Sequence, residues 1–211
     1  MSVQFESREI ADKYDQFARW YDWVEGVPDL LGVSRLRHQL LRRASGNVLE
    51  VAVGTGKNLR YYPRECRIVA VDISGEMLNV ARKRAEKLSM NVDFLLTDAQ
   101  ALPFCGKSFD TVLSSLTTCT FPNPVLALQE MARVCKPTGR VLLLEHGRSN
   151  REWLGRWQDR REDSFANLLG CHWNREPLEI AREAGLNIVT AWRTFFGVFS
   201  VIEAKIRGVV L

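Results

Sequence analysis

Five short runs rich in Val, Ile and Leu punctuate the middle of the chain: VLEVAV (48–53), RIVAVD (67–72), VDFLLTD (92–98), FDTVLSS (109–115) and RVLLLEH (140–146). Helix-periodic stretches alternate with them, around 57–62, 74–88, 123–135 and 150–169. Nearly continuous apolar strands separated by helices need cover on both faces, which describes a parallel sheet between two helical layers. Right-handed crossovers then predict an α/β, doubly wound, Rossmann-like sheet with its ligand site at the carboxyl ends of the strands. After a helix at about 177–184 and Gly185, the tail LNIVTAWRTFFGVFSVIEAKI carries two β-like runs hinged near Gly197. With no helix between them, they are expected to form an antiparallel edge hairpin, for seven strands in all.

A length of 211 residues with 46% hydrophobic and 26% charged side chains suits one globular domain spanning 1–211. Two segments stand outside the strand–helix alternation. Within residues 1–45, Ile10, Tyr14, Phe17, Tyr21 and Val24 fall inside a helical arc of about 80°, so an amphipathic helix with an aromatic stripe is expected. Within 147–175, Trp153, Leu154, Trp157, Phe165, Leu168 and Leu169 share an arc of about 160° that also contains Arg161. A core helix with a snorkelling arginine, an anionic head-group site at Arg161 and a helix resting on a membrane surface all fit that pattern.

The charge balance, 29 basic against 25 acidic residues, is too even to indicate nucleic acid. Five cysteines with no CxxC argue for a reducing compartment, against a disulfide framework and against a zinc ribbon. Cys171-His172 has no spaced second pair, so no metal is expected. The N-terminal stretch lacks an apolar h-region and no apolar run reaches about 18 residues. A cytoplasmic protein is expected, with peripheral membrane contact left open and no obligate protein partner.

The densest chemical signal is Glu50-Val-Ala-Val-Gly54-Thr-Gly56-Lys-Asn58-Leu59, a strand running into a glycine turn. The next strand ends in Asp72, eighteen residues beyond Gly54, where a carboxylate suits the two hydroxyls of a ribose. A third strand ends in Thr97-Asp98-Ala99. A dinucleotide needs a third small residue after G-x-G, and Leu59 occupies that position. S-adenosylmethionine carries no phosphate but has an ammonium and a sulfonium. Glu50 would suit that cationic end, directly or through water, and Asp98 the adenine amino group. Three acids coherent around a cation would repel a pyrophosphate.

LEVAVGTG, VDIS, TDAQALPF followed by SFD, and ALQEMARVCKPTGRVLLLEH together resemble the successive motifs of class I S-adenosylmethionine-dependent methyltransferases. The flavour is nearest the quinone C-methyltransferase and phospholipid N-methyltransferase branch, over roughly residues 12–146. Ala52 departs from the pattern, which has glycine there; slight crowding with retained binding is expected. By resemblance, Gly54 and Gly56 flank the methionine part, Asp72 takes the ribose, Ile73 and Met77 line the adenine pocket, Asp98 and Ala99 sit at the adenine edge, and Ser115 and Leu116 follow the fourth strand beside the methyl group. The first 45 residues would fold over the site as a lid, with 147–175 as an insert on the substrate side.

Methyl transfer from a sulfonium is an in-line displacement in which the cofactor carries the reactivity. Alignment alone contributes roughly 7–11 kcal/mol, so a base matters only when the acceptor must lose a proton. Tyr14 and Tyr21 on the lid stripe and His146 at the end of the fifth run are the catalytic candidates. Cys119 reads as packing. The expected acceptor is apolar or lipid-like: a quinone, a phospholipid head group or a hydrophobic thiol. A nicotinamide-dependent oxidoreductase and a catalytically silent cofactor-binding domain are the alternatives.

Overall fold

In the computed structural model, which describes residues 6–24 and 32–206 (backbone alone for Phe17, residues 19–24 and Leu169), β1 (Asn47–Val51) lies near the centre of one sheet. It pairs in parallel with β2 (Arg67–Asp72) on one side and β4 (Phe109–Ser115) on the other. β3 (Val92–Leu96) adds to β2, and β5 (Cys135–His146) adds to β4, both parallel. β7 (Phe199–Ile206) then joins β5 antiparallel, and β6 (Leu186–Thr194) closes that edge. The order is β3-β2-β1-β4-β5-β7-β6, the doubly wound sheet with its edge hairpin.

Alternation along the strands divides the core. Leu49, Val112, Val141, Leu143 and Ile202 face one way, against α4 (Pro124–Val134) and α6 (Pro177–Glu183). Val48, Ile68, Leu113, Leu142, Leu144 and Val201 face the other, against α2 (Ser34–Leu41) and α3 (Gly75–Lys87). Burial on both faces explains why these strands read as unbroken apolar runs. Side-chain caps start the helices that follow β2 and β4: Ser74 Oγ accepts from Met77 N–H at 3.1 Å, and Asn123 Oδ1 from Leu126 N–H at 3.0 Å, with Pro124 in the first turn.

Three boundaries differ from the sequence reading. β1 ends at Val51 because Ala52 enters the left-handed region (φ +54°). The expected helix at 57–62 is a single 3-10 turn, Leu59–Tyr61, since the glycine turn leaves too few residues for more. β5 begins at Cys135, directly after α4. The two outlying segments are α1 (Ser7–Val24) and α5 (Glu152–Leu169), the latter ended by Gly170 at φ +66°. No helix among the described residues is long and apolar enough to cross a membrane.

Candidate active site

The strand order reverses between β1 and β4, and a cleft of about 640 Å³ opens where their carboxyl ends diverge. Eight of the eleven residues expected around the cofactor line it: Ala52, Gly54, Asp72, Ile73, Met77, Asp98, Ala99 and Leu116. Ser7, Ile10 and Tyr14 of α1 line it from above, and Thr117, Thr120, Phe121 and Pro122 from the turn after β4. Gly54 sits at φ +56°, and a Cβ there would meet nothing within 4 Å, so the turn leaves open space for a ligand. Gly56 works differently: a Cβ would come within 2.9 Å of Leu59 Cδ1 and 3.2 Å of Ala81 Cβ, so it lets the turn pack on α3.

Asp72 is buried and holds the turn. Its Oδ2 accepts from Gly54 N–H at 2.7 Å and its Oδ1 from Ser74 N–H at 2.9 Å. Burial nevertheless raises its pKa to about 6, opposed by those backbone hydrogen bonds. Asp98 accepts from Gln100 N–H at 2.8 Å and from Gln100 Nε2, which also donates to Ser7 Oγ at 2.9 Å. The adenine-edge candidate is thereby linked to α1. Asp15 of α1 accepts from Ser74 Oγ at 2.5 Å and from Glu76 N–H at 3.2 Å.

A second hollow shares Ala52, Gly54 and Thr117 with the cleft and adds Ser115, Arg37, Lys57 and Asn58. The buried Arg37 donates to Asn58 Oδ1 at 2.8 Å and to Ser115 Oγ at 2.7 Å. Behind them Glu50 accepts from Asn58 Nδ2 at 2.8 Å and Tyr62 Oη at 2.9 Å. Both oxygens of Glu50 are thus engaged beneath the turn, and Glu50 lines neither hollow. Burial pushes its pKa up to about 7. Arg37 and Lys57 give this end of the site the cationic donors that a ligand carboxylate needs. Sequence reasoning missed both; Lys57 stood in the glycine turn, whereas no spacing connects Arg37 to it.

The remaining candidates separate. Tyr14 lines the cleft, while Tyr21 is in α1 with its side chain outside what is described. His146 ends β5 but is not among the lining residues; its Nε2 lies 3.5 Å from Cys171 Sγ. Arg161 is exposed on α5, also outside the lining. Glu145, unremarked in sequence, organises the turn after β4. It accepts from Thr117 N–H (2.9 Å), Thr118 N–H (3.1 Å), Thr118 Oγ1 (3.0 Å) and Ser114 Oγ (3.2 Å). Leu116 at that turn holds φ +61°. Two non-glycine residues in left-handed conformation, Ala52 and Leu116, therefore flank the cleft, backbone strain gathered at the site.

The donor set fits a phosphate-free cationic nucleoside: two carboxylates reach the cleft from β2 and β3, and Arg37 and Lys57 lie at the opposite end. A family model described as a methyltransferase domain matches residues 49–143, the stretch from β1 to β5. The mitochondrial methyltransferase OMS1 of Saccharomyces cerevisiae is 29% identical over 222 residues, covering 96% of this chain and 47% of that protein. The ubiquinone/menaquinone biosynthesis C-methyltransferase of Pseudomonas syringae pv. tomato is 31% identical over 177 residues, covering 78% and 68%. A solved structure from Thermotoga maritima, titled a methyltransferase and possible histamine N-methyltransferase, superposes with a TM-score of 0.71 at 23% identity, covering 94% of this chain and all of that one. The chain spans about half to two thirds of the length of the curated relatives it matches.

Proposed function

We propose that this chain, which belongs to the class I S-adenosylmethionine-dependent methyltransferases near their quinone C-methyltransferase branch, transfers a methyl group from S-adenosylmethionine to a small apolar or lipid-like acceptor. The observation that carries this reading is the placement of Asp72 and Asp98 in one cleft, with Asp72 bonded to the N–H of the glycine turn. When bound, the cofactor supplies an electrophilic methyl group on a sulfonium.

The chain's own groups bind and align. Asp72 would accept from the ribose hydroxyls, and Asp98 would take the adenine amino group. Ile73 and Met77 would sandwich the base, and Arg37 and Lys57 would hold the methionyl carboxylate. Glu50 acts at one remove, positioning Asn58, which in turn positions Arg37. Tyr14 is the catalytic candidate whose ring reaches the cleft; it would face the developing charge and help exclude water. Ile10, Leu116, Phe121 and Pro122 make the acceptor side apolar, which supports a quinone or lipid tail over a polar metabolite. The relatives named for quinone biosynthesis point to the same class.

Contact with a lipid surface is the finer part of the reading. Helix α5 exposes Trp153, Trp157 and Leu168 together with Arg156, Arg160 and Arg161, apolar anchors beside cations. A methyl-transfer screen with labelled cofactor against quinol, phospholipid and thiol panels, with and without anionic vesicles, tests both parts. Transfer to a quinol or lipid, enhanced by vesicles, is expected. Cofactor binding with no transfer to any panel would favour a catalytically silent domain.

A further inference from the structure

Cys119, His146 and Cys171 converge beside the cleft, although they come from the turn after β4, the end of β5 and the loop after α5. The Sγ of Cys171 lies 3.5 Å from His146 Nε2. One donor atom from each of the three residues lies within 4.8 Å of the other two. The arrangement is fixed by backbone. His172 N–H donates to the Cys119 carbonyl at 2.9 Å, and the Arg175 guanidinium donates to the carbonyls of Thr118 and Phe121 at 2.6 and 2.8 Å, bracketing the Cys119 turn. Glu145 anchors the same turn from the sheet side.

We propose that Cys119, His146 and Cys171 bind one zinc ion, with the fourth coordination position open to water or a thiolate. Two thiolates and an imidazole are the donors that zinc selects, and three protein ligands with a free position are the pattern of non-structural zinc sites. A tetrahedral ion with Zn–S of about 2.3 Å and Zn–N of about 2.0–2.1 Å places its sulfur and nitrogen ligands about 3.5 Å apart, which is the Cys171–His146 separation. Binding would release two thiol protons to solvent and leave a neutral dithiolate–imidazole–zinc unit. The position matters because Cys119 stands between Thr117 and Thr120, both of which line the cleft. The sequence hid the site: the adjacent Cys171-His172 suggested a lone pair, whereas His172 turns away to Glu162, with its Nδ1 2.6 Å from Oε1.

The test uses the full-length chain, stripped of metal and kept reduced, titrated with zinc against a chromophoric chelator and separately with cobalt(II). One equivalent of zinc should bind with sub-micromolar affinity. The cobalt form should show a thiolate-to-metal charge-transfer band and tetrahedral visible bands. Cys171→Ser and His146→Gln should each weaken zinc binding at least about tenfold, whereas Cys105→Ser and His38→Gln should leave it unchanged. On the unaltered protein, zinc should protect the half-buried Cys171, but not the exposed Cys105, from alkylation mapped by mass spectrometry. That measurement keeps the test sharp if a variant folds poorly. Absence of the charge-transfer band, affinity unchanged in both ligand variants, or equal alkylation with and without zinc overturns the site. Cofactor binding and methyl transfer are measured separately, so failure here leaves the preceding reading standing, and the reverse.

Discussion

The backbone N–H of Gly54 donates to Asp72 Oδ2 at 2.7 Å, so the glycine turn and the acid that ends β2 are one mechanical unit. Register explains it: β1 and β2 run in parallel with Val51 opposite Val71, which brings the residues just past each strand side by side. Asp72→Ala removes both the charge-assisted contact proposed for the ribose and the support of the turn. S-adenosylmethionine affinity should fall about tenfold or more by calorimetry. Unchanged affinity would remove Asp72 from the cofactor site.

Burial lifts the pKa of Asp72 from its ordinary 3.8 to about 6. Between those values the folded protein holds a proton that the unfolded chain has lost. The group's contribution to stability is therefore largest at low pH and is lost as pH rises through about 6, by roughly 3 kcal/mol in total. In urea unfolding without cofactor, Asp72→Asn should gain on the parent protein across that window. In the proposed binding mode the cationic cofactor is held by the ionised form, so its affinity should weaken by about tenfold per unit below pH 6. A flat binding profile from pH 5 to 7.5 would contradict this.

What the sequence revealed and what it hid divide along a physical line. Gly54, Asp72 and Asp98 were legible because each stands at or just past a strand tip, and in a parallel sheet these tips meet at one edge. The central strands β1, β2, β4 and β5 were legible because burial on both faces leaves few polar breaks. Arg37 was not: it is on α2, before β1, and meets the turn through Asn58, a contact that no sequence spacing announces. His146 is a catalytic candidate from its place at the end of β5, and its Nε2 lies 3.5 Å from Cys171 Sγ; no local pattern specifies which neighbour a strand-end side chain meets. Glu145 and the three-residue thiol–imidazole cluster depend on contacts across 25 or more residues, beyond any periodicity.

Glu145 should be a stability residue before it is anything else. Its carboxylate receives two backbone N–H groups and two hydroxyls in a fully buried position, although burial raises its pKa. Glu145→Ala leaves those donors without an acceptor, and each unsatisfied buried group costs about 1–3 kcal/mol. A loss of about 3 kcal/mol or more in denaturant unfolding is expected. Glu145→Gln should recover most of it, since the amide oxygen can accept from the two N–H groups while its NH₂ donates to Ser114 Oγ. A Gln variant as unstable as the Ala variant would show that charge, not hydrogen-bond acceptance, holds the turn.

Helix α1 is pinned to the body at three described points: Asp15 on the start of α3, Ser7 on Gln100, and Lys13 Nζ on the Asn167 carbonyl at 2.7 Å. It also places Tyr14 over the cleft. If α1 serves as a lid, deleting residues 1–24 should reduce turnover far more than cofactor affinity, because alignment and water exclusion suffer most. Tyr14→Phe should stay within about threefold of the parent in turnover if the ring's face is what acts, and Tyr14→Ala should not. Equal loss of binding and turnover on deletion would mark the segment as structural only.

Ala52 offers a substitution that should improve the fold. It occupies φ +54°, where the Cβ of an L-residue crowds the backbone at a cost of about 1–2 kcal/mol. Glycine removes that strain but gives the unfolded chain more freedom, worth about 0.4–1 kcal/mol in the other direction. The net expectation for Ala52→Gly is a gain of about 0.5–1 kcal/mol, or a few degrees in Tm for a chain of this size. Ala52 lines the cleft, yet losing one methyl group there opens space without removing a polar partner, so cofactor affinity should stay within about twofold. A lowered Tm would mean that the methyl group's packing against the core beneath β1 outweighs the backbone strain.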